Sequence, residues 1–414
     1  MNYTVLHFPH NTASLASENN KALQALGVKS KAYVIKLYKD TPIVSNDGVH
    51  ILPFNHLASS TGFMPTNTPL FPLASFAATV APQGITSLKT RLVVIRAWGI
   101  EFLKRALAVL PFHRGVQRAL ACSGKRRVAR KLAFLDDVDI IHCYVGELTG
   151  SAVETAIRER HIPGLAAWQG SEIRRPSVEF ETNPYYHLLL DADGSSPYGD
   201  DERSRVRQQY MYDLGFEPLV TAGMRQYILP GYVGPIHQIF HPVSLEAEPA
   251  YPDVAQQRPL IVHAPSKQKA KGSAYVQRAI DQLRPTAEFD YREVTGMPRS
   301  EALALMRRCD IYIDQLIVGD HGMAALEAMS YGKPTVCYLK PSVLELLPKD
   351  IPIVNATVDD LAEVLLGLIQ DPQRRHDSGV ASRAYVERYH DPLKTAARLD
   401  EIYQDVLERH GGLR

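Results

Sequence analysis

One stretch of the sequence decides the fold, and it reads Asp310-Ile-Tyr-Ile-Asp-Gln-Leu-Ile-Val-Gly-Asp-His-Gly-Met-Ala-Ala-Leu-Glu-Ala-Met-Ser-Tyr-Gly-Lys-Pro-Thr-Val-Cys-Tyr338. Residues 311–313 form a short apolar run typical of a buried strand, and residues 323–331 are predicted to form a helix. Gly332 and Pro334 end that helix, and β-forming residues follow them. Strand, helix and strand in this order predict a βαβ unit with a crevice at the carboxyl end of its first strand.

The crevice of this βαβ unit is a predicted anion site. The first N–H groups of a helix have no partner within the helix, so they are free to bind an anion at its N-terminus. Glu327 lies inside the same predicted helix, and its carboxylate can face the crevice. The alternative is that Glu327 is an ordinary exposed helical glutamate.

A longer motif contains this glutamate, and it reads Gly322-Met-Ala-Ala-Leu-Glu-Ala-Met-Ser-Tyr-Gly-Lys-Pro334. It resembles the signature of the retaining nucleotide-sugar glycosyltransferases of group 1, a family-4-like branch with the GT-B fold. The resemblance implies an α/β chain with two Rossmann-like, doubly wound domains that face each other across a cleft. It also implies that Glu327 holds the donor's ribose hydroxyls, while loop amides hold its sugar and phosphates. The matching loop residues are Gly322, Met323 and Ala324.

The chain departs from the family pattern at one acidic position. The family usually has a second glutamate eight residues before the one that matches Glu327, and here that position is Gly319. Asp320 is the neighbouring carboxylate and is therefore a candidate catalytic residue in place of the missing glutamate. Asp320 is also a candidate N-cap of the helix, and the two roles are compatible.

The strand predicted at residues 164–169 ends in a second segment that resembles the family. Gln169 stands where the family often has a histidine beside the reacting sugar, and Glu172 stands where it often has an aspartate. Gln169 can donate and accept hydrogen bonds but cannot carry a proton charge, so it is a candidate for orienting the sugar rather than for acid–base catalysis. Glu172 is a candidate acceptor-binding residue. Both are otherwise ordinary turn residues.

A basic loop supplies the predicted cations. Lys271 matches the lysine with which family members neutralise the donor diphosphate, and we expect it to stabilise the charge that develops as the glycosyl bond breaks. Ser266 occupies the place of the family's arginine, and Lys267 and Lys269 are predicted to provide the missing charge from the same loop. The resemblance also implies that the turn Thr295-Gly296 meets the nucleotide base. The alternative for the lysines is a solvated basic loop.

Length and proline content predict the domain limits. A chain of 414 residues exceeds what one core usually fills, and residues 246–259 contain three prolines of a linker. We therefore expect two domains, at residues 1–245 and 259–390. The resemblance implies that the first binds the acceptor and the second the donor, and that a helix at 391–414 packs back toward the first domain. The first loop of the first domain contributes candidate acceptor ligands, namely His10, Asn11 and Ser14.

Composition excludes several other classes. The chain is 45% apolar and 22% charged with a net charge of +1, so it is an ordinary globular protein and not a nucleic-acid binder as a whole. Its four cysteines are widely spaced, which predicts neither a disulfide framework nor a zinc site. We expect no metal and no cofactor. Asp191-Ala-Asp193 resembles the metal motif of a different glycosyltransferase architecture, but so short a pattern arises easily by chance.

Residues 85–131 are crowded with lysine and arginine interleaved with apolar residues. Three interpretations remain open: core-facing helices with a solvated basic face, nucleic-acid binding, and attachment to an anionic membrane surface. With no signal peptide or spanning segment predicted, we expect a cytoplasmic protein that can be peripheral on the inner membrane face.

The leading interpretation is therefore a metal-independent, retaining glycosyltransferase acting on a glycan or lipid-linked acceptor. Its runner-up is a non-catalytic GT-B protein that binds a sugar nucleotide or a partner enzyme, because Gly319, Ser266 and Gln169 replace residues that the family often uses. An epimerase or phosphorylase on a similar double Rossmann fold is a third alternative.

Overall fold

The computed structural model describes residues 3–8, 15–36, 49–53, 132–144, 151–245 and 247–411. The chain forms two compact units. The larger contains Met1–Leu52, Asp137–Leu148 and Ile157–Arg414, and the smaller contains Pro53–Asp136 and Thr149–Ala156. The predicted acceptor residues His10, Asn11 and Ser14 and the basic segment 85–131 lie outside the described residues.

The first sheet has seven strands in the order β3-β2-β1-β4-β5-β6-β7. Its strands are β1 (Thr4–Phe8), β2 (Lys29–Lys36), β3 (Val49–Pro53), β4 (Ile140–Tyr144), β5 (Gly164–Trp168), β6 (Phe216–Val220) and β7 (His237–Gln238). From β2 to β7 every neighbouring pair is parallel. Strands β4, β5 and β6 are buried along their whole length, as expected for a parallel sheet covered on both faces.

The second sheet has five parallel strands in the order β12-β11-β10-β8-β9. Its strands are β8 (Leu260–His263), β9 (Asp290–Glu293), β10 (Ile311–Ile313), β11 (Thr335–Cys337) and β12 (Val354–Asn355). The central strand β10 and its neighbour β11 are the two strands of the predicted βαβ unit, which the structure confirms.

Helices connect the strands. They are α1 (Leu15–Ala25), α2 (Ser151–Arg160), α3 (Pro176–Thr182), α4 (Asp201–Asp213), α5 (Gln268–Lys271), α6 (Ser273–Leu283), α7 (Arg299–Arg308), α8 (Met323–Ser330), α9 (Pro341–Leu344), α10 (Leu361–Gln370), α11 (Pro372–Tyr389) and α12 (Pro392–Arg409). Short 3-10 helices occupy Ala133–Leu135, Tyr186–Leu189 and Ala222–Tyr227. No helix within the described ranges is long and apolar enough to cross a membrane.

Helices also form in a segment whose sequence has no clear helical pattern. Residues 176–215 have no clear apolar period, yet they contain α3 and α4. Helix α4 begins at a local signal, because the Asp200 side chain accepts a hydrogen bond from the backbone N–H of Arg203 at 2.7 Å.

The last helix belongs to the core of the first sheet. Asp391 caps α12 by accepting from the N–H groups of Leu393 and Lys394, and Pro392 occupies its first turn. Its inward face is buried in one cluster with residues of α1 and of strands β1, β4, β5 and β6. The domain limits at residues 245 and 259 stay predictions, and they fall between β7 and β8.

Candidate active site

A cleft of about 260 Å³ lies at the carboxyl ends of both sheets. Its walls are the loops that follow β5, β6 and β7 of the first sheet and β8 and β10 of the second. Carboxyl ends of parallel strands are where open α/β sheets bind ligands, because the loops there diverge and leave a crevice. Seven of the predicted site residues line this cleft, and these are Gln169, Ser266, Lys267, Lys271, Asp320, Gly322 and Met323.

Lys271 lies on the cleft wall, in contact with a carboxylate that was not predicted from the sequence. Its Nζ is ion-paired with Oδ1 of Asp314, whose side chain is completely buried. The other carboxylate oxygen of Asp314 accepts a hydrogen bond from the backbone N–H of Gly322 at 2.9 Å. Gly322 is the N-cap of α8. Asp314 therefore joins the predicted diphosphate lysine to the N-terminus of the helix predicted to bind the donor.

A signal for Asp314 was present in the sequence. The residue directly follows β10, a central parallel strand, and polar residues at that place commonly face the ligand crevice. The family signature begins only at Gly322, so the resemblance did not point to it.

The three basic-loop lysines have different environments. Lys267 is exposed, lines the cleft and lies with its Nζ 5.4 Å from the centre of the Tyr198 ring. Lys269 does not line the cleft, because its Nζ pairs with Asp191 at 2.8 Å and with the backbone oxygen of Leu190 at 2.7 Å. Of the two additional lysines, only Lys267 is positioned to face a ligand in the cleft.

Glu327 lies outside the cleft lining, on α8. Its carboxylate is ion-paired with Arg299, the first residue of α7, and its side chain is 16% exposed. The turn Thr295-Gly296 precedes that helix in the chain, and neither its residues nor Ala324 line the cleft. The residues predicted to contact the ribose and the base therefore do not line the cleft, and these contacts stay predictions. The ion pair between Glu327 and Arg299 was not predicted from the sequence.

Asp320 is not the cap of α8. The helix begins at Met323 with Gly322 as its N-cap, and the Asp320 carboxylate instead accepts from the N–H of His321 at 2.8 Å. The capping alternative is therefore wrong. The carboxylate presses against Gly223, where a Cβ would lie 2.0 Å from Oδ2. Burial raises the pKa of Asp320 above its ordinary value, although His321, Arg174 and Lys340 oppose that shift.

The structure explains why glycine occupies position 319, where the family usually has a glutamate. It has a φ of 78°, and a Cβ there would lie 2.9 Å from Cδ of Lys340. A side chain at this position is therefore strained and obstructed. Lys340 is completely buried, and its Nζ pairs with Glu179 at 3.1 Å. A glutamate at position 319 would therefore collide with the buried side chain of Lys340.

Glu172 shapes the turn after β5. Its Oε1 accepts hydrogen bonds from the N–H groups of Gln169 and Gly170, the latter at 2.8 Å, and it does not line the cleft. Arg174, further along the same loop, does line the cleft, and its Nε lies 3.5 Å from Glu179. This arginine was not predicted from the sequence.

The Asp191-Ala-Asp193 motif is engaged in local contacts. Asp191 pairs with Lys269, and Oδ1 of Asp193 accepts from both the N–H and the hydroxyl of Ser195. Within the described residues, no three His, Cys, Asp or Glu side chains are grouped so that they could hold a metal ion.

Comparison with known proteins supports the fold. Residues 291–385 match the family profile described as Glycosyl transferases group 1. The sucrose-phosphate synthase of Thermosynechococcus elongatus superposes with a TM-score of 0.59 at 11% identity, over 99% of this chain and 100% of that chain. HepE of Anabaena in complex with UDP-glucose superposes with a TM-score of 0.56 at 12% identity, over 97% of this chain and 99% of that chain. No curated protein sequence matches the chain. The predicted fold, two Rossmann-like domains of the GT-B type, is confirmed.

Proposed function

We propose that this protein is a retaining glycosyltransferase that moves a sugar from a nucleotide diphosphate sugar to an acceptor hydroxyl, without a metal or a cofactor. The observation that carries the proposal is the Lys271 ammonium held by Asp314 beside Gly322, the N-cap of α8. The group 1 profile over residues 291–385 and the crystallisation of HepE, which has the same fold, with UDP-glucose support it.

The donor diphosphate fits at the N-terminus of α8. The first N–H groups of that helix have no partner within it, and its dipole favours negative charge there. Lys271 adds a cation held by Asp314 at this end of the cleft, and the exposed side chain of Lys267 adds a second one. A nucleoside diphosphate bound here directs its ribose toward the ion pair of Glu327 on α8 and Arg299 on α7, which carry hydrogen-bonding groups, and its base toward the turn Thr295-Gly296.

The reaction needs stabilisation of a leaving group more than a side-chain nucleophile. As the bond between the anomeric carbon and the diphosphate oxygen breaks, negative charge grows on that oxygen, where Lys271 and the helix N-terminus counter it. The acceptor hydroxyl attacks from the same face, and its proton passes to the departing diphosphate. Gln169 and Asp320 line the cleft and orient the sugar.

A thermal-shift screen tests the proposal. The panel contains UDP, GDP, ADP and dTDP together with a set of their sugar derivatives, and each hit is followed by calorimetry and by a sugar-hydrolysis or transfer assay. We expect at least one pair to raise the melting temperature. Lys271→Ala should lower turnover more than it weakens binding, because the lysine is most useful when the diphosphate leaves.

Lys269→Ala is the matched control, since Lys269 lies with Lys271 on the short helix α5 but pairs with Asp191 away from the cleft. It should leave turnover and binding unchanged. Binding of a sugar nucleotide without turnover in any assay would favour the alternative of a non-catalytic sugar-nucleotide binder. That alternative is motivated by Gly319, which replaces a glutamate that the family usually has.

The acceptor side of the proposal rests on sequence alone. A lipid-linked or envelope glycan is the acceptor that suits a basic, apolar segment at residues 85–131, because each lysine or arginine near an anionic surface contributes about 1 kcal/mol. Liposome co-sedimentation should show binding to anionic vesicles that fades at high salt. Equal co-sedimentation with neutral and anionic vesicles would contradict the membrane-bound acceptor and favour one that is not held at a membrane.

A further inference from the structure

Three histidines from three separate loops lie on the wall of the cleft. His241 follows β7, His321 precedes α8, and His390 lies between α11 and α12. Nδ1 of His390 lies 2.8 Å from the backbone oxygen of His241, and the ring centres of His321 and His390 are 6.2 Å apart. None of the three was predicted as a site residue from the sequence, where they are far apart.

His390 presents a free acceptor atom. A carbonyl oxygen only accepts, so Nδ1 carries the ring proton and Nε2 keeps its lone pair. The residue is 1% exposed, and among the described residues Nε2 has no hydrogen-bond partner. Burial lowers the pKa of His390 to about 3, so the ring is neutral at physiological pH. A buried polar atom is seldom left unpaired, and this one lies in a residue that lines a ligand cleft.

Two other atoms of cleft-lining residues are also buried without a hydrogen-bond partner among the residues that the structure describes. Within the described part of the chain, Oε1 of Gln169 and Nδ1 of His321 are buried without a partner. An amide oxygen accepts only, and the neutral Nε2 of His390 accepts only. Phosphate oxygens of a donor cannot satisfy Nε2 of His390 or Oε1 of Gln169, because phosphate oxygens are acceptors too. A group with several O–H donors can.

We propose that His390, with His321 and Gln169, forms a hydroxyl-binding subsite for the transferred sugar and so contributes to donor specificity. This inference rests on the proposed function. Its position follows from His321, which directly precedes Gly322, the N-cap of α8 where the diphosphate fits. In a sugar nucleotide the sugar is attached to that diphosphate, so its hydroxyls lie next to the same loop.

The test compares each sugar nucleotide of the panel with its own nucleoside diphosphate, by calorimetry. His390→Asn keeps an amide donor at the position of Nδ1 and removes Nε2. We expect it to weaken binding of the sugar nucleotide by roughly 2- to 10-fold, the effect of one hydrogen bond, and to leave the nucleoside diphosphate unchanged. His390→Gln places an amide oxygen near the position of Nε2 and should restore part of the loss.

A spectroscopic signature separates contact from mere packing. In ¹⁵N-histidine spectra, the Nε2 resonance of His390 should report an unprotonated nitrogen and should shift with the sugar nucleotide but not with the nucleoside diphosphate. If His390→Asn fails to fold, His321→Ala replaces it in the same comparison. His321 is a partly exposed loop residue, so its replacement should be tolerated.

Equal loss of affinity for both compounds, or no change in either, would overturn the subsite while leaving the proposed function standing. Failure of the wild-type protein to bind any compound of the panel would instead overturn the proposed function, and the subsite with it.

Discussion

At the scale of single residues, the cleft is organised by a carboxylate that no motif marks. Asp314 is fully buried and binds two groups at once, the Lys271 ammonium and the N–H of Gly322. A buried carboxylate is stable only when such partners satisfy it. The same contacts fix the position of the cation that is proposed to act on the leaving group, so Asp314 is a positioning residue.

Asp314→Asn keeps the shape and an oxygen for Gly322 but removes the negative charge. Turnover should fall by about 10- to 100-fold, because Lys271 is no longer held in place. Affinity for the nucleoside diphosphate should hold or rise, because the ammonium is no longer neutralised. Steady-state kinetics and calorimetry measure the two effects. A parallel fall in turnover and nucleotide affinity, together with a lower melting temperature, would indicate a structural role only. Asp191→Asn is the control, because it removes the charge of a carboxylate in an exposed ion pair with Lys269.

Glu327→Ala should weaken nucleotide binding by roughly 1.5–3 kcal/mol, the scale of charge-assisted hydrogen bonds, with the fold intact. Arg299, its ion-pair partner, is half-exposed and should tolerate replacement structurally. Calorimetry compares the nucleotide affinity of Glu327→Ala with that of Glu301→Ala. Glu301 is an exposed glutamate on α7 and serves as the control. Unchanged nucleotide affinity in Glu327→Ala would contradict the ribose assignment.

At the scale of secondary-structure elements, α12 completes the core of the first sheet, although it comes last in the chain. Its residues Leu399, Ile402 and Tyr403 are buried among residues of α1 and the sheet. Near its C-terminus, Arg409 donates to Glu217 of β6 at 2.7 and 3.0 Å. Apolar burial and one ion pair therefore hold the helix at its middle and its end.

Leu399→Ala should lower the free energy of unfolding by about 2–5 kcal/mol, because it leaves a cavity in that core. Leu393→Ala, at a position of the same helix that is 50% exposed, should change it by less than about 0.5 kcal/mol. Urea unfolding of the two variants measures the difference. Similar values for both would mean that α12 is not docked in solution.

Acid should loosen the end of α12. Burial raises the pKa of Glu217, but hydrogen bonds from His237 and Arg409 outweigh it and leave the pKa below its ordinary value of 4.5. A carboxylate with a depressed folded-state pKa contributes stability above its unfolded-state pKa and loses it as the pH falls through the folded-state value. The stability gap between wild type and Glu217→Gln should therefore narrow from neutral pH to about pH 3. A constant gap over that range would exclude this linkage.

At the scale of the whole molecule, a buried network of charges connects elements of the two sheets. Lys340, from the loop after β11, reaches Glu179 of α3, and its Nζ also lies 3.3 Å from the hydroxyl of Tyr227 in the 3-10 helix Ala222–Tyr227. Burial lowers the pKa of Lys340, while Glu179 opposes that shift. Each group is buried, so each depends on the others for compensation.

Lys340→Ala should cost about 3–5 kcal/mol of stability, because it leaves Glu179 buried and, among the described residues, ion-paired with the more distant Arg174 alone. Lys349→Ala, at an exposed position, should be neutral to within about 0.5 kcal/mol. Thermal and urea unfolding both measure this. A neutral Lys340→Ala would mean that the network does not hold the two parts of the core together.

The sequence by itself determined the local units of this protein. The βαβ unit from Asp310 to Tyr338 follows from neighbouring residues, namely an apolar strand, a helix ended by Gly332 and Pro334, and a second strand. Local propensity and strand direction suffice for a prediction of this kind. Lys271, Lys267 and Gly322 were named instead from the resemblance of short segments to the group 1 glycosyltransferases, and the structure places all three on the lining of the cleft, where the ends of parallel strands meet.

Only the tertiary structure decided which side chains meet. Lys271 and Asp314 are 43 residues apart, Glu179 and Lys340 are 161 apart, and His241 and His390 are 149 apart. The tertiary fold also decided that Lys269 turns to Asp191 and that Gly319 makes room for Lys340. Ion pairs and hydrogen bonds act over a few ångströms, so their partners depend on how loops from distant parts of the chain converge, which no local pattern records.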